Sequence, residues 1–152
     1  MDGFHLADVE LSRRGLLDRK GAPETFDASG YAALLDRLRT RPTGTVYAPA
    51  FDRDLEQPVA GAIAVGDEIE VVVSEGNYLL LDRPEWQQVR DLCDEVWYLT
   101  TDERLRVQRL IARHVEFGKG PVQAKEWVRR VDEPNALLVE GSRDRADKVL
   151  DL

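Results

Sequence analysis

The sequence predicts an α/β domain with a mainly parallel sheet. Three observations carry that prediction. Helical and strand-like segments alternate along the chain, as they do where helices cover a sheet. Residues 69–73 form a β-branched run that reads as a strand covered on both faces. The chain of 152 residues is long enough for one domain with a real core, so residues 1–152 read as a single domain.

Each element has its own signal. Residues 28–38 carry Tyr31, Leu34, Leu35 and Leu38 at helical spacing, with Asp27 or Ser29 placed to cap the start. Residues 45–48 suit a short strand. Residues 49–66 read as a long loop, and its Phe51, Asp52, Arg53, Asp54 and Glu56 suit an active-site loop. Pro84 opens a short helix through Leu92. Residues 96–99 suit a buried strand. Thr101 or Asp102 then caps a helix to about Phe117, with Leu105, Leu110 and Ile111 on one face and arginines on the other. Residues 118–121 break it. Ala124, Trp127, Val128 and Val131 mark a further helix, Pro134 restarts one through Leu138, and residues 146–152 hold a last strand.

Composition narrows the function classes. A net charge of −8 argues against a nucleic-acid partner, which calls for a basic face. No apolar run approaches a membrane span, and no basic and apolar leader opens the chain, so a cytoplasmic protein is expected. The single Cys93 excludes an internal disulfide framework and reads as a buried, inert thiol. Trp86, Trp97 and Trp127 read as packing residues. No His/Cys group has metal-ligand spacing.

Several segments carry chemistry. They are Met1-Asp2-Gly3-Phe4-His5-Leu6, Arg14-Gly15, residues 19–27 (Arg-Lys-Gly-Ala-Pro-Glu-Thr-Phe-Asp), Ser74-Glu75-Gly76-Asn77-Tyr78-Leu79, Arg113-His114 and Glu133-Pro134-Asn135. Together they resemble the phosphoribulokinase/uridine kinase/bacterial pantothenate kinase family, in its bacterial nucleoside/nucleotide kinase branch. The resemblance runs the length of the chain. It implies a P-loop NTPase-like three-layer α/β/α fold, an ATP and Mg²⁺ requirement, and phosphoryl transfer to an alcohol. Yet no Gly-x-x-x-x-Gly-Lys-Ser/Thr occurs in the chain. The first strand, phosphate loop and first helix of the family have no counterpart here. A start assigned too far downstream, truncation or loss each accounts for this.

The resemblance also assigns roles. Asp2 falls at the general-base position, where an acid orients the acceptor hydroxyl and takes its proton. Glu75 becomes the Walker B-like acid associated with Mg²⁺. His5, Arg19, Lys20, Arg53, Asn77 and Tyr78 fall on the substrate side, and Arg109 and Arg113 on a lid of about residues 104–121, hinged at Gly118 and Gly120. Plain structural readings stand beside these. Phe4 suits the core, Arg19 and Lys20 a solvated turn paired with Asp18 and Glu24, and Arg53 a partner of Asp52 or Asp54. Arg106, Arg109 and Arg113 suit a solvated face paired with Asp102 and Glu103.

The expected function is an ATP-dependent small-molecule kinase, weak or inactive as these 152 residues alone. The rival is a non-catalytic, kinase-derived binding protein. Homo-oligomers are open to either, because an unpaired sheet edge invites association.

Overall fold

A computed structural model describes residues 1–40 and 43–152 of the chain, which divide into two compact units, Met1–Asp94 and Glu95–Leu152.

The first unit opens on a 3₁₀ turn, Asp2–Phe4, followed by α1, Asp8–Arg14. Helix α1 carries Asp8 and Glu10 in its first turn and Arg13 and Arg14 in its last, complementing the helix dipole. Gly15 ends it with a left-handed φ of 67°, a conformation that glycine adopts without strain. Sequence reasoning did not assign this helix. Helix α2, Ala28–Arg39, starts as expected at Asp27, whose carboxylate accepts the Gly30 amide at 2.8 Å. Its buried face is Ala28, Tyr31, Ala32, Leu34 and Leu35. Leu34 joins Val46 and Ala48 in one apolar cluster, with Phe4 and Leu38 packed against it, so Phe4 is a packing residue.

The loop expected at 49–66 is a β-hairpin. Strand β1, Val46–Asp52, pairs antiparallel with β2, Gln57–Val65. The turn is built by Asp52, whose Oδ1 accepts the amides of Asp54 and Leu55, each at 2.9 Å, and by Glu56 at φ 53°. Pro49, Pro58 and Gly61 concealed these strands, since both residue types are depleted in sheets. Residues 69–73 depart from expectation in the opposite sense. Among the described residues no strand pairs with them, and Val71 and Val73 are 77% and 89% exposed. β-branched residues suit a pleated surface, but a strand also needs a ladder partner, and composition does not report one. Helix α3, Pro84–Asp91, begins with proline in its first turn and buries Trp86 and Val89. Trp86, Phe26 and Tyr78 make an aromatic cluster with ring centroids 5.5–6.2 Å apart. Cys93 is half-buried, and burial pushes its thiol pKa up, in keeping with an inert group.

In the second unit β3, Trp97–Thr100, pairs in parallel with β4, Lys148–Asp151. The expected strand at 96–99 is present but not buried throughout, for Trp97 and Leu99 are more than half exposed. Lys148 lies over the Trp97 ring at 4.7 Å and pairs with Glu95 at 3.0 Å. Helix α4, Glu103–Glu116, is capped by Asp102, which accepts the Leu105 amide at 3.0 Å. Gly118 at φ 94° closes it. Helix α5, Pro121–Trp127, runs through a π-helical turn, Val128–Asp132, into α6, Glu133–Glu140. Among the described residues no helix is long and apolar enough to cross a membrane.

Candidate active site

The 3₁₀ turn Asp2–Phe4 lies against β1 because Gly3 has no side chain. A Cβ on Gly3 would meet the Pro49 carbonyl oxygen at 2.3 Å and its carbon at 2.6 Å. This close approach brings Asp2 to the hairpin turn. There Arg53 Nη2 donates to Asp2 Oδ2 at 2.6 Å. The partner of Arg53 is therefore Asp2, 51 positions away, and neither Asp52 nor Asp54. Asp2 Oδ1 accepts no hydrogen bond among the described residues.

His5 follows in the same segment. Its Nδ1 lies 2.8 Å from the Asp2 carbonyl oxygen, and its ring sits 4.0 Å from Phe26 and 4.9 Å from Phe51. Burial lowers its pKa below the usual 6.5, outweighing the opposing pull of the Asp2 backbone bond. The imidazole is thus neutral near pH 7, and Nδ1, facing a carbonyl, carries the proton.

Lys20 reaches the same place from the other loop. Its Nζ donates to Asp8 Oδ1 at 2.7 Å and to the Glu56 carbonyl at 2.5 Å, and lies 5.4 Å from the Phe51 ring centre. Arg53 lies 4.9 Å from that ring. Phe51 is therefore a shared wall for His5, Lys20 and Arg53, a role that the loop reading of 49–66 did not isolate. Arg19 pairs with Glu24 at 2.6 Å. That pair is the surface pairing expected of a solvated turn, whereas Lys20 takes Asp8 in place of Asp18.

Tyr78 is 1% exposed, and its hydroxyl donates to the Gly21 carbonyl. It fastens the 19–21 turn from beneath. Asn77 and Glu75 stand exposed. The Met1 amine donates to the Glu75 carbonyl at 2.9 Å, and Ser74 bonds Tyr31 across 2.5 Å, so the segment around Glu75 is tied to the segment around Asp2.

Arg109 and Arg113 lie on α4 in the second unit, four residues apart and exposed. Arg106 on that helix pairs with Glu133 at 2.7 Å, and Asp102 serves as a cap, so the expected pairing of these arginines with Asp102 and Glu103 does not occur. His114 Nε2 meets Asp132 Oδ2 at 2.8 Å and edges toward Trp127.

Among the described residues no group of three or more His, Cys, Asp or Glu side chains is arranged to hold a metal ion, and Glu75 is a single exposed carboxylate. The pattern Gly-x-x-x-x-Gly-Lys-Ser/Thr does not occur in these 152 residues. What the first unit does hold together is an acid, two cations, a neutral imidazole and an aromatic wall.

Comparison with known proteins decides the ancestry. No family model matches the chain. The ATP-dependent kinase-like protein notR′ of Aspergillus versicolor is 38% identical over 128 residues, covering 80% of this chain and 74% of that protein. A crystal structure of a candidate fructose transport system kinase from Silicibacter sp. TM1040 superposes with a TM-score of 0.89 at 39% identity, covering 98% of this chain and 71% of that one. The chain belongs to the kinase family of these relatives. A candidate uridine kinase of Schizosaccharomyces pombe, 33% identical over 156 residues, belongs to the same set and aligns with 99% of this chain. This chain spans 66% of that protein's length. The family's α/β fold accords with the paired helices and strands described above.

Proposed function

We propose that this chain forms the acceptor side of an ATP-dependent kinase that phosphorylates a hydroxyl group of a small molecule. The observation that carries the reading is the Asp2 carboxylate, held through Oδ2 by Arg53 at 2.6 Å, with Oδ1 unengaged. A carboxylate fixed at one oxygen presents the other to an alcohol. It orients the hydroxyl and accepts its proton as the oxygen attacks. Arg53 keeps the carboxylate in one rotamer, and Phe51 holds Arg53 in turn. His5 in its neutral form offers Nε2 as an acceptor for a second hydroxyl of the substrate. Lys20, with Asp8 and the Glu56 carbonyl, clamps the 19–21 turn to the hairpin.

Glu75 is the acid assigned to Mg²⁺, and Arg109 and Arg113 are the charges assigned to a lid of about residues 104–121. Arginines on a lid stabilise charge on a transferring phosphoryl group. The likeness to kinases across the whole chain supports these assignments. Because these residues lack a triphosphate grip of their own, the 152-residue protein should turn over Mg-ATP weakly or not at all.

The test is an ADP-release assay with a panel of alcohols, run beside D2N. Robust phosphorylation by the 152-residue protein would overturn the expected weakness. Any measurable turnover that D2N leaves unchanged would overturn the role of Asp2.

A further inference from the structure

The charge balance around Asp2 bears on what kind of alcohol can bind there, an inference that rests on the acceptor-site reading. We infer that the site takes an uncharged hydroxyl compound and discriminates against alcohols bearing a carboxylate or phosphate.

Arg53 and Lys20 border the site and Arg19 lies in the same turn as Lys20, and each of the three is already committed to an acid. Arg53 is on Asp2 at 2.6 Å, Lys20 on Asp8 at 2.7 Å and Arg19 on Glu24 at 2.6 Å. Lys20 is the most enclosed, with a side chain 16% exposed and a second bond to the Glu56 carbonyl. The lysine that faces the aromatic wall therefore has its charge cancelled and two of its donors used. His5 adds no positive charge, since burial disfavours its imidazolium. The hairpin turn contributes three further carboxylates, Asp52, Asp54 and Glu56, against the one arginine that Asp2 already holds. An anionic group entering here meets no uncommitted cation among these three. To gain one it must displace a carboxylate at hydrogen-bond distance, and the displaced carboxylate then repels it.

A neutral polyol meets none of these costs. It finds one free carboxylate oxygen, a neutral imidazole and the apolar edge of Phe51. Recognition of an anion by arginine or lysine requires that those groups be available to it, and here they are engaged in holding the site's own acids.

The test is calorimetric titration of the 152-residue protein with two uncharged alcohols, fructose and uridine, and two anionic ones, fructose 6-phosphate and pantothenate. D8N is run alongside, because it frees Lys20, with circular dichroism verifying the fold. One unbalanced charge at this range predicts that the better uncharged compound binds about tenfold or more tighter than either anion. D8N should narrow that ratio by strengthening anion binding alone. E24Q, which frees Arg19, serves the same purpose if D8N does not fold. Anionic alcohols binding as tightly as neutral ones would overturn the inference while leaving the acceptor site standing. A ratio unmoved in the folded variants would overturn the charge-balance explanation. Failure of all four compounds to bind the folded protein would overturn the acceptor-site reading, and the inference with it.

Discussion

Replacing Gly3 with alanine tests how Asp2 is positioned. Gly3 does not have a positive φ, so space and not backbone conformation decides the outcome. The new Cβ would sit 2.3 Å from the Pro49 carbonyl oxygen, about 1.1 Å short of the 3.4 Å at which ordinary contact begins. The obstacle is backbone in a paired strand, so no side-chain rotation relieves it. Overpacking of this kind costs about 1–3 kcal/mol, and a full ångström against a carbonyl belongs at the upper end. Alanine also restricts the unfolded chain, which returns about 0.4–1 kcal/mol. The net is roughly 2 kcal/mol, or a fall in Tm of about 4–8 °C for a chain of this size. Gly141 is the control. It has an ordinary helical φ of −62°, and a methyl group added there would meet only the Leu137 and Leu138 carbonyl oxygens at 3.5 and 3.6 Å, so G141A should leave Tm unchanged or raise it slightly. Thermal melts followed by circular dichroism compare the two. G3A melting at or above the wild-type temperature would refute the close approach of the Asp2–Phe4 turn to β1.

Two other outcomes follow from the same geometry. D27A removes the acceptor of the Gly30 amide at the start of α2 and should cost about 1 kcal/mol, read as a lower urea midpoint with an unchanged slope. His5 has a folded-state pKa below its unfolded value, so the unfolded chain binds the proton more readily. Its share of stability is whole above pH 6.5 and is lost as pH falls from 6.5 through the lower folded value. Stability measured between about pH 7.5 and 5.5 should therefore fall more steeply in the wild type than in H5Q, and parallel profiles would refute the burial of a neutral imidazole.

Helices were legible where local chemistry fixed them. Asp27 and Asp102 cap the helices that their sequence positions suggested, and Pro84 opens the one that it was expected to open. Helix α1 escaped because seven residues with one buried position, Leu11, carry little periodicity, although Asp8, the basic last turn and Gly15 were all signals. Strands were harder. The β1–β2 hairpin contains prolines and glycine, which read as loop, while residues 69–73 have strand composition without a ladder partner among the described residues. Strand formation depends on a distant partner, and composition reports only half of that pair. In the site, motif resemblance singled out Asp2, His5, Lys20 and Arg53, and the structure sets His5, Lys20 and Arg53 against one ring, with Asp2 bonded to Arg53. It could not reveal that Phe51 is that ring, nor that Asp2 and Asp8 are the acids that Arg53 and Lys20 take, because those pairings join positions as far apart as Asp2 and Arg53. Tyr78 was singled out for the substrate side, and its buried hydroxyl donates to the Gly21 carbonyl, a bond that joins positions too far apart to be read from sequence.

The most direct test of the central claim is an amide NMR titration of the folded 152-residue protein, first with uridine and then, separately, with Mg-ATP. An acceptor site built on Asp2 predicts saturable shifts from uridine at Asp2, His5, Lys20, Phe51 and Arg53, and no saturable response to Mg-ATP at those positions. Uridine shifts confined to other residues, or saturable Mg-ATP binding centred on Asp2, would contradict it.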